Sequence, residues 1–287
     1  MATKSKTTDK TNKDAGKKKS GGSAWEIVKI SRHPKRPVLQ HYIELVFDNF
    51  VPLHGDRYFA DDPAMVGGFA EIDGKKIMLI GQNKGTSTVE NIERNFGMAK
   101  PEGYRKALRL MKLAERFNLP IVTVIDTPGA FPGIEAEERG QAESIAKNIT
   151  EMAKLEVPVV AVVIGEGGSG GALGIGVGDK ILMLSNAIYS VISPEGCASI
   201  LWRDAAFAPE AAQALNLTAE ALLKLDVIDE IIPEPPKGAH TNHKVTAEAV
   251  KNALLKNLKS LENISVDKLL DMRADKYAAM GKFSVDN

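Results

Sequence analysis

A glycine-rich stretch, GEGGSGGALGIG at residues 165–176, follows the apolar run VPVVAVVI and is the part of this sequence best suited to chemistry. Eight of the residues from 165 to 178 are glycine. Because glycine has no side chain, a ligand can approach the backbone closely and the N–H groups are unhindered. In a dry site, each such donor stabilises a developing oxyanion by about 3 kcal/mol. The stretch therefore predicts an oxyanion hole.

Two nucleotide-binding hypotheses fit parts of the sequence poorly. Gly165, Gly167 and Gly170 have the G-x-G-x-x-G spacing, but the region about 20 residues later, LSNAI, lacks the carboxylate that would hold a ribose. The DTPG segment at 126–129 is similar to a GTPase motif. However, no Gly-Lys pair in the chain is followed by the Ser or Thr that a Walker A loop requires. Both hypotheses are disfavoured.

A serine hydrolase is a third interpretation. Gly167, Ser169 and Gly171 match the G-x-S-x-G elbow, in which the serine opens a helix after a strand. Three carboxylates precede His240 in the order that a catalytic triad of this type needs: Asp179, Asp204 and Asp229. His240 itself belongs to the polar connector PEPPKGAHTNHK, where a surface position is the ordinary expectation. A hydrolase using Ser169 stays an alternative.

Composition narrows the class of protein. The chain has 287 residues, of which 44% are hydrophobic and 26% charged, as in an ordinary globular protein. Its 37 basic residues balance 37 acidic ones, so no overall field attracts nucleic acid or an anionic membrane. No apolar run approaches the roughly 20 residues that span a bilayer. One cysteine, Cys197, cannot form a multi-cysteine zinc site. We expect a cytoplasmic protein without a metal, nucleic-acid or membrane partner.

Charge and apolar patterning suggest the domain organisation. Residues 1–23 hold seven lysines and two aspartates without an apolar core, which predicts a disordered tail rather than a secretory signal. We expect a single domain over residues 24–287, with helical segments at both ends. Three loops follow the ends of successive predicted strands: GQNKG, DTPGAFPG and GEGGSGG. In α/β proteins with mostly parallel sheets, active sites lie at such loops.

Apolar periodicity predicts the individual elements of this α/β fold. Helical spacing extends over residues 38–53, and Asp73-Gly74 joins two apolar runs as in a hairpin. The remaining pattern predicts helices over 101–118 and 135–156, buried strands over 119–126 and 157–164, and further strand over 180–193. Near-continuous apolar strands indicate a mostly parallel sheet covered by helices.

Seven motifs, in one order from about residue 25 to residue 240, closely resemble the carboxyltransferase alpha subunit family of bacterial acetyl-CoA carboxylase. They are AWEIVKISRHPKRP, GDRYFADD, NFGMAKPEGYRKALRLM, IDTPGAFPG, AEERGQ, IGEGGSGGALGIGVGDK and ISPEGCASILW. The resemblance implies the crotonase (ClpP-like) fold, in which repeated β-β-α units form a superhelix. It also implies transfer of a carboxyl group from carboxybiotin to acetyl-CoA, giving malonyl-CoA in the first committed step of fatty acid synthesis.

The resemblance also assigns roles to particular residues. It implies that the backbone amides of Gly170 and Gly171 hold the biotin oxyanion, with Gly167 and Gly168 as second choice and Ser169 as a turn residue. Four residues are expected to wall the biotin pocket, or else to be structural: Asp126, Pro128, Gly129 and Phe131. Four basic residues are expected to meet CoA phosphates or partner carboxylates, or else to be solvated: Lys84, Arg94, Lys100 and Arg105.

The implied partners are a beta subunit, in an α2β2 assembly, and a biotin carboxyl carrier protein that presents carboxybiotin. Biotin carboxylase is expected to use ATP in place of this chain. The open alternatives are another biotin-dependent acyl-CoA carboxyltransferase, a non-catalytic scaffold and a crotonase-type hydratase or isomerase. The last would need a carboxylate near the oxyanion hole, for which Glu143 and Glu166 are the candidates.

Overall fold

The computed structural model describes residues 23–281. The tail predicted over residues 1–23 lies outside the described residues except for Ser23, whose hydroxyl accepts the Glu26 N–H and caps the first helix. Helix α1 (Ala24–Ser31) and helix α2 (Leu39–Val46) precede the sheet. The other helices are α3 (Thr88–Glu93), α4 (Pro101–Arg116), α5 (Ile134–Glu138), α6 (Gln141–Met152), α7 (Ser169–Leu173), α8 (Pro194–Leu201), α9 (Ala208–Ala214), α10 (Ala219–Lys224), α11 (His243–Leu261) and α12 (Val266–Ala278).

One mixed sheet of eight strands organises the described chain. Its strands are β1 (Asp48–Pro52), β2 (Met65–Ile72), β3 (Lys75–Gln82), β4 (Ile121–Thr127), β5 (Val159–Gly168), β6 (Lys180–Leu184), β7 (Ile188–Ser190) and β8 (Glu230–Ile232). The order is β1-β2-β3-β4-β5-β6-β8, antiparallel from β1 to β3 and parallel from β3 onward. The predicted α/β class and mostly parallel sheet are confirmed.

Strand β5 changes partner along its length, and this change places the glycine motif. Residues 160–163 pair with β6, whereas residues 166–168 pair with β7. The first six residues of β5, VVAVVI, are buried because helices cover both faces of the sheet. The strand therefore delivers its glycine-rich end to the carboxyl edge of the sheet, directly before α7.

Three element predictions are wrong in detail. The helix expected over 38–53 ends at Val46, and Phe50 belongs to β1 because the apolar spacing passes from one element into the next. The helix expected over 135–156 is divided at Gly140, whose φ of 81° is incompatible with a continuous right-handed helix. The strand expected over 180–193 is two strands, since residues 185–187 form a turn.

A buried ion pair attaches the last helix to the sheet. Arg273 of α12 is 1% exposed and donates from Nε and Nη2 to the two carboxylate oxygens of Asp179, each at 2.8 Å. The same guanidinium donates to the carbonyls of Met152, Leu155 and Val157. Asp179 in turn accepts the Val159 N–H at the start of β5.

Among the helices of residues 23–281, none is both long and apolar enough to cross a bilayer.

Candidate active site

The DTPG loop and the glycine motif lie against each other at the carboxyl ends of β4 and β5. Thr127 pairs with Gly167 in the sheet. A Cβ on Gly168 would lie 2.1 Å from the carbonyl oxygen of Pro128, and a Cβ on Gly171 would lie 2.3 Å from the carbonyl carbon of Gly129. Such distances are impossible for a real side chain, so glycine at both positions is required by backbone packing.

Gly170 differs from these two glycines. A Cβ there would meet only Ile145 side-chain atoms, at 3.8 Å, and the residue is partly exposed. Ser169, just before it, has a φ of 51° and forms the turn from β5 into α7. Because the first N–H groups of a helix have no acceptor within that helix, the backbone between Ser169 and Ala172 has donors to offer. The motif thus combines a tightly packed glycine with an accessible one.

A network of five charged side chains lies behind the motif. Lys84 Nζ is 2.8 Å from Asp126 Oδ1 and 3.0 Å from Glu166 Oε2. Arg32 Nε is 2.6 Å from Glu166 Oε1 and Arg32 Nη1 is 2.6 Å from Glu195 Oε1. Asp126 Oδ1 also accepts the Glu166 N–H at 3.0 Å. The network ties the end of β4 to the end of β5.

The ion pairs in this network shift the pKa values of Lys84 and Glu166. Burial alone would lower the pKa of Lys84, but the carboxylates of Asp126 and Glu166 raise it above its ordinary value. Burial alone would raise the pKa of Glu166, but the charges of Lys84 and Arg32 hold it below its ordinary value. The Lys84 ammonium thus neutralises carboxylates of its own chain.

The other three predicted basic residues are spread over separate places. Arg94 Nη1 is 3.5 Å from Glu90 Oε2 in α3. Lys100 lies 4.9 Å above the ring of Phe131, whose N–H donates to the Ala99 carbonyl. Arg105 Nε donates to Asp56 Oδ2 at 2.8 Å. They do not form one cluster.

The residues of the hydrolase alternative are not assembled. The His240 ring stacks on His33, with 3.8 Å between centroids, beside the N-terminal segment. The three candidate acids have other partners: Asp179 binds Arg273, Asp229 binds Lys276 and Asp204 accepts the Ala206 N–H. No histidine–acid pair therefore stands ready to activate Ser169 among the described residues.

The two candidate carboxylates of the hydratase alternative are also not available as an acid or base: Glu166 is paired with cations, and Glu143 lies at a different cavity. Glu166 is held by two cations, and its lowered pKa keeps it ionised. Glu143 is exposed in the first turn of α6, where it lines a different cavity together with Arg105 and Lys147. Neither provides a free general acid or base beside the glycine motif.

An apolar cavity of about 390 Å³ opens beside the motif. Ser169 and Leu173 line it from α7, and Tyr189 and Ser190 line it from β7. Its remaining walls are aliphatic, aromatic or glycine backbone: Gly176, Val177, Ile181, Val191, Leu215, Leu222, Val227, Tyr277 and Met280. Sequence reasoning missed this wall, because apart from Gly176 and Val177 its residues lie outside the quoted motifs and are far apart in the chain.

The sequence model described as acetyl co-enzyme A carboxylase carboxyltransferase-like matches residues 3–281. The chain belongs to this family. It is 58% identical to the acetyl-coenzyme A carboxylase carboxyl transferase subunit alpha of Methylococcus capsulatus over 261 residues, 91% of this chain and 81% of that one. It is 57% identical to the subunit of the same name from Hydrogenovibrio crunogenus over 260 residues, 91% of this chain and 82% of that one. The resemblance found in the motifs and the transferase class are confirmed.

Three solved structures share the fold of this family member. The Pseudomonas aeruginosa geranyl-CoA carboxylase beta subunit superposes with a TM-score of 0.61 at 20% identity, over 92% of this chain and 48% of that one. Transcarboxylase 12S superposes with a TM-score of 0.59 at 21% identity, over 80% of this chain and 44% of that one. A chain of a Pseudomonas malonate decarboxylase hetero-tetramer in complex with coenzyme A superposes with a TM-score of 0.62 at 16% identity, over 76% of this chain and 88% of that one. The crotonase-type fold is confirmed.

Proposed function

We propose that this chain is the alpha half of an acetyl-CoA carboxylase carboxyltransferase, and that its glycine motif receives the biotin group. The observation that carries the site is the contrast between two neighbouring glycines. Gly171 is fixed against Gly129, whereas Gly170 faces space that a ligand can enter. Rigid donors next to an accessible position are what an oxyanion hole requires.

The chemistry of the reaction divides between ligand and chain. Carboxybiotin, when bound, would supply the carboxyl group that passes to the acetyl-CoA methyl carbon, and the biotin nitrogen that loses this group would accept the proton that the methyl carbon gives up. The chain supplies backbone N–H groups of Gly170 and Gly171, with those of Gly167 and Gly168 as the second choice, to stabilise negative charge on an oxygen. The apolar cavity beside Ser169 is proposed to limit the access of water and so to strengthen those hydrogen bonds. None of the described residues is proposed as the proton acceptor.

The predicted pocket residues have three different roles in this proposal: they form the loop, position it, or contact CoA or a partner. Pro128, Gly129 and Phe131 form or flank the loop that lies against Gly168 and Gly171. Asp126 lies behind the loop and binds Lys84 there. In this proposal, Asp126 and Lys84 therefore act by positioning the loop. Arg94, Lys100 and Arg105 are proposed contacts for CoA phosphates or for a partner's carboxylates.

The assembly that we propose follows from the family. The chain pairs with a beta subunit as α2β2, and a biotin carboxyl carrier protein brings carboxybiotin from biotin carboxylase, which uses the ATP. The reaction takes place in the cytoplasm and supplies malonyl-CoA to fatty acid synthesis. Sequence identity above 55% with named alpha subunits supports this assignment. The chain itself is proposed to bind no metal.

The reverse reaction tests the proposal. The purified chain, its beta subunit, malonyl-CoA and biocytin are combined, and acetyl-CoA formation is followed. We expect turnover with both subunits and none with either subunit alone, because each supplies one half of the site. Hydration of crotonyl-CoA by this chain alone would favour the hydratase, and labelling of Ser169 by a fluorophosphonate would favour the hydrolase. Absence of turnover from the assembled complex would contradict the proposed function.

A further inference from the structure

Gln82 is a fully buried amide at the end of β3, and it joins the two loops of the candidate site. Its side chain is 0% exposed. Nε2 donates to the Gly171 carbonyl oxygen at 2.6 Å, and Oε1 accepts the Asp126 N–H at 3.1 Å. A single carboxamide thus spans from the backbone of the DTPG segment to the backbone of the glycine motif.

The Gly171 carbonyl receives a second buried donor. The Tyr104 hydroxyl, on α4, donates to the same oxygen at 3.2 Å, and the Tyr104 residue is 0% exposed. On its Cα side, Gly171 lies so close to Gly129 that even a methyl group would not fit. The residue is therefore held from two directions, by hydrogen bonds to its oxygen and by backbone contact at its Cα.

This restraint bears on the amides that the proposed function uses. A peptide group is planar, so fixing the Gly171 carbonyl fixes the peptide plane that follows and limits how Gly171 can rotate. Donors of an oxyanion hole act fully only when they are held within about 0.5 Å of the productive position. A displacement of about 1 Å can reduce a rate about 100-fold.

We propose that Gln82 is a positioning residue for carboxyl transfer: it sets the orientation of the Gly171 backbone, and hence of the oxyanion donors, relative to the DTPG loop. The inference rests on the proposed function of the glycine motif. Tyr104, on α4, donates to the same carbonyl oxygen. Gln82 contacts the backbone of the motif and acts through it.

The opposing interpretation is that Gln82 only satisfies buried polar groups. Buried amides are almost always hydrogen-bonded, and losing one destabilises a protein wherever it occurs. Asn257 provides the matched control, since it is also a buried amide, 5% exposed, and donates to the Ala253 carbonyl and to Glu230 in a distant part of the fold. Asn257→Leu is expected to lower thermal stability and to leave kcat unchanged.

The test measures kcat and KM of the assembled alpha–beta complex for malonyl-CoA decarboxylation in the presence of biocytin. Gln82→Met is expected to lower kcat about 10- to 100-fold while KM for malonyl-CoA changes less than about 3-fold, because ground-state binding does not need the aligned donors. Tyr104→Phe is expected to lower kcat by less, because Gln82 still holds the oxygen.

Gln82→Glu adds a pH readout that a purely structural role would not produce. The ionised carboxylate cannot donate to the Gly171 carbonyl, whereas the protonated acid can. The kcat of this variant relative to the original complex is therefore expected to rise as pH falls, and that of Gln82→Met is expected to stay constant. Should Gln82→Met fail to fold, the pH dependence of Gln82→Glu decides alone.

Three outcomes would overturn the inference. If the unsubstituted complex is active and Gln82→Met keeps its kcat while losing stability like Asn257→Leu, Gln82 is structural and the proposed function stands. If the kcat of Gln82→Glu relative to the unsubstituted complex does not change with pH, Gln82 is likewise structural. If the unsubstituted complex is inactive, the proposed function fails and this inference fails with it.

Discussion

At the scale of single residues, the glycines of the motif have different reasons to be glycine. Gly168 and Gly171 lie against the backbone of the DTPG loop, so any side chain would collide with main-chain atoms. Gly170 has free space, and its lack of a side chain leaves a way in for a ligand. From the sequence, valine at Gly170 or Gly171 is expected to leave assembly intact, but the packing supports that expectation only at Gly170.

Substitutions at Gly170 and Gly171 should therefore separate activity from stability. Gly170→Ala and Gly170→Val are expected to fold like the original chain but to lose turnover, by about 100-fold or more for valine, because the side chain fills the space before the donors. Gly171→Ala is expected to lower the free energy of unfolding by about 1–3 kcal/mol, because the loop must shift. Urea unfolding and the malonyl-CoA assay measure the two effects. Full activity of Gly170→Val would contradict the site assignment.

At the scale of elements, the parallel strands β4 and β5 are joined at their ends by charge as well as by the sheet. Lys84 follows β3 and reaches Asp126 in β4 and Glu166 in β5. Both carboxylates are less than 10% exposed. Removing the cation would leave Asp126 without a positively charged partner and Glu166 with Arg32 alone, in a poorly solvated position, which strongly destabilises a protein.

Lys84→Met is expected to lower the free energy of unfolding by about 3–5 kcal/mol, the range for breaking a buried ion pair on one side. Lys112 is a matched control, because it also contacts two carboxylates, Glu115 at 3.3 Å and Glu151 at 3.0 Å, but its side chain is 35% exposed. Lys112→Met is expected to cost no more than about 1 kcal/mol. Equal losses in urea unfolding would show that burial of the network has no energetic consequence.

At the scale of the whole molecule, four of the five histidines lie where the N-terminal segment meets the connector before α11. His33 stacks on His240, and His41 contacts His243 edge to face at 4.8 Å between centroids. Burial, followed by the neighbouring His33 and Arg36, lowers the pKa of His240, against an opposing effect of Glu234. Burial, followed by His243, lowers the pKa of His41, against an opposing effect of Glu44.

These lowered pKa values predict a loss of stability on mild acidification. Below a pH of about 6.5, the histidines of the unfolded chain bind protons while His41 and His240 in the folded chain stay neutral. The free energy of unfolding should therefore fall as pH decreases from 7.5 toward the folded pKa values. Thermal unfolding at several pH values measures this slope, which His240→Gln should reduce. His54→Gln is the control, because His54 pairs with Asp61 on the surface; equal slopes for all three proteins would contradict the prediction.

The sequence by itself determined which segments could do chemistry and much of the fold. Continuous apolar runs predict buried parallel strands, and glycine density predicts close backbone approach, because both are local properties of the chain. The seven motifs between about residues 25 and 240, in one order, also sufficed to identify the family. Boundaries were predicted less well: the helix break at Gly140 and the end of α2 at Val46 depend on how neighbouring elements pack.

Only the tertiary structure decided how the site is supported. Gln82 and Gly171 are separated by 89 positions and Lys84 and Glu166 by 82, so no local pattern reveals that they touch. A lysine and a glutamine near glycine-rich loops are equally compatible with binding phosphate or with solvation. Which partner each side chain meets depends on the register of β3, β4 and β5, and that register is set by burial of the whole sheet.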